Sequence, residues 1–276
     1  MIQKIKKLLK ELKTAPLKRF SQNFLIDQNI INKFIQLIDI DQKTNLIEIG
    51  PGLGSITFPL LEKKPSNYLC IEIDNSFAQY LKEQSSKYKN FKIVHTDFLK
   101  IDFSKLPNNL HVFGNIPFHI TTPIFITLIT HLKKISKMTF IIQSDVAERI
   151  TAIPGTKKYG SLSILLQLYT TPKIEFEISK NAFFPSPKVS SSVITLYPKE
   201  NASLYETNEG FHSFVQSLFQ KRRKQLKTSL KDIYSKETII NTFQKLQLDP
   251  SIRIETLSPT QILSLYQSLE KNALIE

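Results

Sequence analysis

Short apolar runs alternating with segments of helical length fill the first two-thirds of this 276-residue chain, and no other feature constrains its fold as much. Asn45–Gly50, Tyr68–Asp74, Phe91–Asp97, Leu110–Asn115 and Lys137–Gln143 read as strands, and the stretches between them as helices or crossovers. Apolar runs in that alternation suit a parallel sheet covered on both faces, because both sides of each strand then meet core. Ile174–Ile178 and Val189–Leu196 are two further strands. They flank the Pro-rich turn Phe183-Phe184-Pro185-Ser186-Pro187 and read as an antiparallel addition at one edge. Strand signals stop near Pro198–Thr207. After that, Phe219, Leu226, Leu230 and Ile233 form one helical stripe, and others run through Glu237–Leu248 and Pro259–Leu269. The expected division is a basic segment at 1–20, an α/β domain at 21–200 and a small all-helical domain at 201–276. Leu8, Leu9 and Leu12 recur at helical spacing in the first segment, which makes it an amphipathic basic helix or a solvated tail.

The formal net charge of +13 and pI near 9.6 favour an anionic partner such as nucleic acid or an acidic membrane surface, and on charge alone a soluble basic protein with solvated lysines stands about even with that reading. Hydrophobic residues make up 41% of the chain, enough to exclude a disordered one. The single cysteine, Cys70, lies inside an apolar run and reads as a small core residue, not a nucleophile. Neither it nor the five histidines has metal-ligand spacing, so no resident metal is expected. The Lys-rich start has no apolar core of a signal peptide, and no stretch is long and apolar enough to span a bilayer. These features predict a cytoplasmic protein with no membrane partner, and a monomer is the expected state.

The sharpest local signal is Glu48-Ile49-Gly50-Pro51-Gly52-Leu53-Gly54, a glycine turn directly after a strand. Such a turn lets a ligand approach the backbone and the following helix N-terminus. From Gly50 to Glu72 is about the 20 residues expected between a glycine loop and a ribose-binding acid. Asp74 competes for that role, and Glu72 is preferred because it sits deeper in the strand. Asp97 closes the third strand, placed to accept an adenine amino group, with Phe98 beside the ring. Asn115 closes the fourth. One polar residue at a strand end is a turn former; four in register argue for a site at the carboxyl end of an open sheet. The Gly-x-Gly-x-Gly form favours S-adenosylmethionine over a dinucleotide.

The fourth strand runs into Asn115-Ile116-Pro117-Phe118. The exocyclic nitrogen of adenine is a poor nucleophile, since its lone pair is delocalised into the ring. The Asn115 side-chain oxygen and the Pro117 carbonyl can accept its two hydrogens, and Phe118 can stack on an unstacked base. Seen alone, the same tetrapeptide is a turn followed by a core aromatic.

These motifs resemble the ribosomal RNA small-subunit adenine N6,N6-dimethyltransferase family of the KsgA type, from Arg19 to about Tyr266. The resemblance begins at Arg19-Phe20-Ser21-Gln22-Asn23-Phe24-Leu25, where it implies that Asn23 and Leu25 lie against the cofactor. It continues through Gly50, Glu72, Asp97 and Asn115–Phe118. Phe183 corresponds to an aromatic that helps hold the target base. Phe219-Gln220-Lys221-Arg222-Arg223-Lys224 resembles the family's basic helix. The implied fold is a Rossmann-like class I methyltransferase sheet with a small C-terminal all-helical domain. The implied activity is methyl transfer from S-adenosylmethionine to adjacent adenines near the 3′ end of 16S ribosomal RNA, within an assembling small subunit. Two positions depart: Phe118 stands where the family usually has Tyr, which keeps stacking but loses a hydroxyl, and Ser190 stands where Asp is common.

Read at 100° per residue, Lys224, Lys227 and Lys231 share one helix face and, with Lys221, form the candidate phosphate contacts. Arg222 and Arg223 flank the apolar stripe and are expected to do partly structural work. Three alternatives compete. A large-subunit adenine N6-methyltransferase of the macrolide-resistance type shares the Asn-Ile-Pro-aromatic motif. A non-catalytic RNA-binding assembly or transcription factor would leave the cofactor site free to decay, and a small-molecule methyltransferase would have no use for the basic second domain.

Overall fold

The computed structural model describes residues 2–12, 23–41, 43–86, 88–200 and 209–273, with all of their side chains except Lys4, Phe118 and Glu209. Arg19–Gln22, where the resemblance begins, and part of the expected boundary at 198–207 lie outside these residues.

The chain opens with α1 (Ile2–Glu11), β1 (Phe24–Leu25) and α2 (Gln28–Ile35). The alternating region follows: β2 (Asn45–Ile49), α3 (Thr57–Leu61), β3 (Asn67–Glu72), α4 (Asn75–Gln84), β4 (Phe91–His95), β5 (Leu110–Asn115), α5 (Thr121–Thr130), β6 (Ile135–Gln143) and α6 (Ser144–Ile150). Next are α7 (Ser161–Tyr169), β7 (Thr170–Ile178), β8 (Phe183–Phe184) and β9 (Ser191–Pro198). The chain ends in α8 (Glu209–Gln220), α9 (Leu226–Leu230), α10 (Lys236–Lys245) and α11 (Pro259–Ala273). Among the described residues, no helix is long and apolar enough to cross a membrane.

The sheet has seven strands in the order β4-β3-β2-β5-β6-β9-β7. β2 pairs in parallel with β3 on one side and β5 on the other, β3–β4 and β5–β6 are parallel, and β9 runs antiparallel to β6. The sequence-based strands are all present, with the antiparallel addition at the expected edge. Leu110, Val112 and Phe113 of β5 are fully buried, as a central strand requires. The chain order reverses between β2 and β5, and a crevice at such a switch point is where open α/β sheets bind ligands.

Two compact units form: Met1–Ala147 with Pro172–Pro198, and Glu148–Thr171 with Lys199–Glu276. The sequence put the division at residue 200 alone, but α7 belongs with the C-terminal helices. In the first unit, Ile5 and Leu9 of α1 are buried against Phe24, Leu53 and Phe77, while Lys6, Lys7 and Lys10 stay exposed. In the second unit, Phe211, Val215, Leu218, Leu226, Leu230, Ile262, Leu265 and Leu269 are buried.

One expected helix is broken. Residues 221–225 are a turn between α8 and α9. The Leu226 amide donates to the Ile252 carbonyl at 2.8 Å, so the chain leaves the helical ladder there. Lys224 therefore lies in the turn and does not share a helix face with Lys227 and Lys231, and Ile233, expected in the apolar stripe, is 48% exposed.

Candidate active site

One cavity in the first unit gathers the ends of β2, β3, β4 and β5. Asn23, Leu25, Gly50, Glu72, Asp97, Asn115, Pro117 and Phe183 all line it, so the residues singled out in this part of the sequence converge.

The glycine turn sets the first wall. Gly50 has φ +64°, which L side chains rarely adopt, and a Cβ there would meet nothing within 4 Å. The space beside its backbone is open to a ligand. Glu72, 4% exposed, is held by both oxygens: Gly52 N–H donates to Oε2 at 2.9 Å and Asp74 N–H to Oε1 at 2.8 Å. Burial pushes its carboxyl above the ordinary range, opposed by those N–H donors. A carboxylate has about four acceptor sites, so room remains for a further donor such as a ribose hydroxyl. Asp74, the competing acid, serves as a helix cap: its Oδ1 accepts from the Ser76 and Phe77 amides and starts α4.

Asp97 spends Oδ1 on the Leu99 amide at 3.0 Å, which starts a short 3-10 turn and leaves Oδ2 for another donor. Phe98, buried, and Ile73, 46% exposed, add apolar surface to the same cavity. The ends of β3 and β4 thus offer acceptors and apolar walls of the kind a vicinal diol and a flat amino-bearing ring would use.

Asn115 ends β5. Its Nδ2 donates to the Asn23 carbonyl at 2.9 Å. A carbonyl only accepts, so this bond fixes the amide orientation and leaves Oδ1 as an acceptor. Gly114, just before it, makes the placement possible: a Cβ there would lie 2.3 Å from the Ile49 carbonyl oxygen. The sequence reading passed over this glycine, although an isolated glycine inside a strand signals close backbone approach.

The Pro117 carbonyl does not have the expected role. It accepts from the Ile120 amide and the Thr121 hydroxyl, each at 3.2 Å, and both lone pairs turn into the 3-10 turn at Phe118–Ile120. The Ile116 carbonyl, one residue earlier in the cavity wall, accepts no hydrogen bond among the described residues. The Phe118 side chain lies outside the described ones. Phe183, 4% exposed, pairs with Leu25 across the two-stranded β1–β8 sheet, which brings both to the same wall. Strands of two residues are too short for periodicity to reveal.

In the second unit, the Lys221 ammonium pairs with Asp232, so it is not a free phosphate contact. Lys224 and Lys231 are exposed and Lys227 is half-buried. Arg222 donates three of its five N–H groups, to Glu255 and to the carbonyls of Thr156 and Lys157.

The family model described as ribosomal RNA adenine dimethylase matches residues 16–271. A ribosomal RNA small subunit methyltransferase A from Clostridium botulinum is 41% identical over 246 residues, covering 87% of this chain and 89% of its own. Its namesake from Buchnera aphidicola is 39% identical and covers 100% and 98%. A crystal structure of a dimethyladenosine transferase from Plasmodium falciparum superposes with a TM-score of 0.78 at 24% identity, covering 90% of this chain and 98% of that one. With a match spanning both compact units and relatives of this similarity, the chain belongs to the ribosomal RNA adenine dimethylase family.

Proposed function

We propose that the protein transfers methyl groups from S-adenosylmethionine to N6 of adjacent adenines near the 3′ end of small-subunit (16S) ribosomal RNA, giving N6,N6-dimethyladenosine during ribosome biogenesis. The observation that carries this reading is Asn115, an amide locked by Asn23 so that its oxygen ends β5 inside a cavity suited to an adenine nucleoside.

Gly50, Glu72, Asp97, Asn23 and Leu25 hold the cofactor, which when bound supplies an activated methyl group. Asn115 Oδ1 accepts one N6 hydrogen of the target base and the Ile116 carbonyl accepts the other, in place of Pro117. Two acceptors fixed on one side draw the amino group out of conjugation and aim its lone pair. Positioning of this kind supplies most of the acceleration, with no strong base required. Phe118 and Phe183 hold the base, which enters unstacked. Lys224, Lys227 and Lys231 contact phosphates. The protein acts as a cytoplasmic monomer on an assembling particle.

The test is methyl transfer from labelled cofactor to unmethylated small subunits and, separately, to protein-free large-subunit RNA. Label recovered as N6,N6-dimethyladenosine from the small subunit supports the proposal. Label in large-subunit RNA alone would place the protein with the macrolide-resistance methylases. Bound cofactor without transfer to either substrate would favour a non-catalytic RNA-binding factor.

A further inference from the structure

The most exposed large apolar side chain among the described residues is Ile153, at 66%. It lies in the loop 151–160 between α6 and α7, within the second unit. Exposed loops of this length ordinarily cost little to leave loose, yet this one is tied down at several points. Arg222 donates to the Lys157 carbonyl at 2.7 Å and the Thr156 carbonyl at 2.9 Å, while its Nε is paired with Glu255. The Gly155 amide donates to the Glu255 carbonyl at 2.7 Å. Buried Tyr159 donates its hydroxyl to the Leu257 carbonyl at 2.9 Å. Gln167 donates to the Ala152 carbonyl at 2.8 Å. The Thr156 hydroxyl donates to the carbonyl of Ile153 itself at 2.7 Å.

These bonds fix the backbone on both sides of Ile153 while leaving its side chain in water. The cations of the loop and of the turn that holds it are only partly compensated: Glu148 and Glu255 each answer one of them. Residues 151–160 contain Lys157 and Lys158 and no acid. Lys158 pairs with Glu148, whereas Lys157 is exposed without an ion pair among the described residues. Arg223 and Lys224 are two further exposed cations in the turn that carries Arg222. A protein partner would ask for a broader apolar patch. A lone branched apolar side chain with cations only partly compensated suits a polyanion with stacked bases: the side chain enters a base step or packs on an unpaired base, and the cations meet phosphates.

We infer that the Arg222-pinned loop 151–160 is an RNA-docking tip, with Ile153 as an apolar wedge and Lys157 as its phosphate contact. The inference rests on the RNA methyltransferase reading and assigns a substrate-gripping role to residues distant in sequence from the methyl-transfer motif. Arg222 is a positioning residue: it holds the loop through the carbonyls of Thr156 and Lys157.

The test uses the full chain and unmethylated small subunits. Ile153→Ser and Lys157→Glu should each raise KM for the subunit by about tenfold, the equivalent of roughly 1.4 kcal/mol, while kcat holds. An unchanged KM in both variants would overturn the inference. A thiol-directed photo-crosslinker on Ile153→Cys gives a second readout, because the native Cys70 is buried and escapes labelling. Adducts on ribosomal RNA support the tip. Adducts confined to ribosomal protein, or none at all, overturn it. Crosslinking does not need turnover, so an RNA adduct from a protein that transfers no methyl group would uphold the tip and sink the methyl-transfer reading.

Discussion

At the residue scale, the cavity rests on polar groups whose partners are assigned one by one. Glu48, directly before the glycine turn, is buried beneath it. Its Oε2 accepts from the Thr57 hydroxyl at 2.7 Å, from the Tyr68 phenol and from the Cys70 thiol at 3.4 Å. Burial outweighs these donors and raises its carboxyl from 4.5 to about 7, with Glu72 nearby adding to the rise. Between those values the folded chain keeps a proton that the unfolded chain has released. Stability is therefore full below the ordinary value and falls as pH climbs through the window, by about 1.4 kcal/mol per pH unit for one proton. Glu48→Gln should flatten that slope in denaturant midpoints measured from about pH 5 to pH 7; parallel profiles for the two proteins would contradict the assignment. The sequence made Glu72, Asp97 and Asn115 legible because a polar residue ending an apolar strand stands out. It left the burden of Glu48 hidden, since a carboxylate in the same motif reads equally well as a surface group. The engagement of the Pro117 carbonyl was hidden for a related reason: backbone acceptors carry no side-chain signature, and only the turn at Phe118–Ile120 shows that this one is spent.

Among elements, the packing of β2 against β5 decides whether the site exists. Gly114→Ala places a methyl group against the Ile49 carbonyl, which cannot move without disturbing the β2 ladder. Overpacking of that kind should cost about 1–3 kcal/mol, read as a lower unfolding midpoint, and should reduce methyl transfer because Asn115 follows directly. A variant as stable and active as the parent would show that the strands tolerate a wider gap. The central parallel strands β2 and β5 were readable because they are largely apolar on both faces. The short β1–β8 pair was not, and neither was the break between α8 and α9. Lys221–Gln225 has good intrinsic helix formers, but long-range bonds from Leu226 to Ile252 and from Arg222 to the 151–160 loop override that preference. Helix α7 was assigned to the wrong side of the division because a nearly continuous apolar run, Ser161–Tyr169, does not say which core it joins.

For the whole molecule, a formal charge of +13 makes attraction to ribosomal RNA strong and dependent on salt. Reversing Lys224, Lys227 and Lys231 together to Glu should weaken binding to small subunits and reduce the log–log salt slope by roughly 2 to 3, since each phosphate contact contributes about 0.7 to 0.9. An unchanged slope would remove these lysines from the footprint. Charge reveals the class of partner from sequence alone, but not which lysines are free: Lys221 is tied to Asp232, and only folding brings those two together. The central claim is that the end of β5 orients an adenine amino group beside a bound methyl donor. Single-turnover transfer to unmethylated small subunits, measured with cofactor affinity on the same preparations of the parent and Asn115→Ala, tests it most directly. The account predicts that the variant binds S-adenosylmethionine nearly as well as the parent and transfers essentially no methyl group to N6. Normal transfer by the variant, or a loss of transfer fully matched by a loss of cofactor affinity, would contradict it.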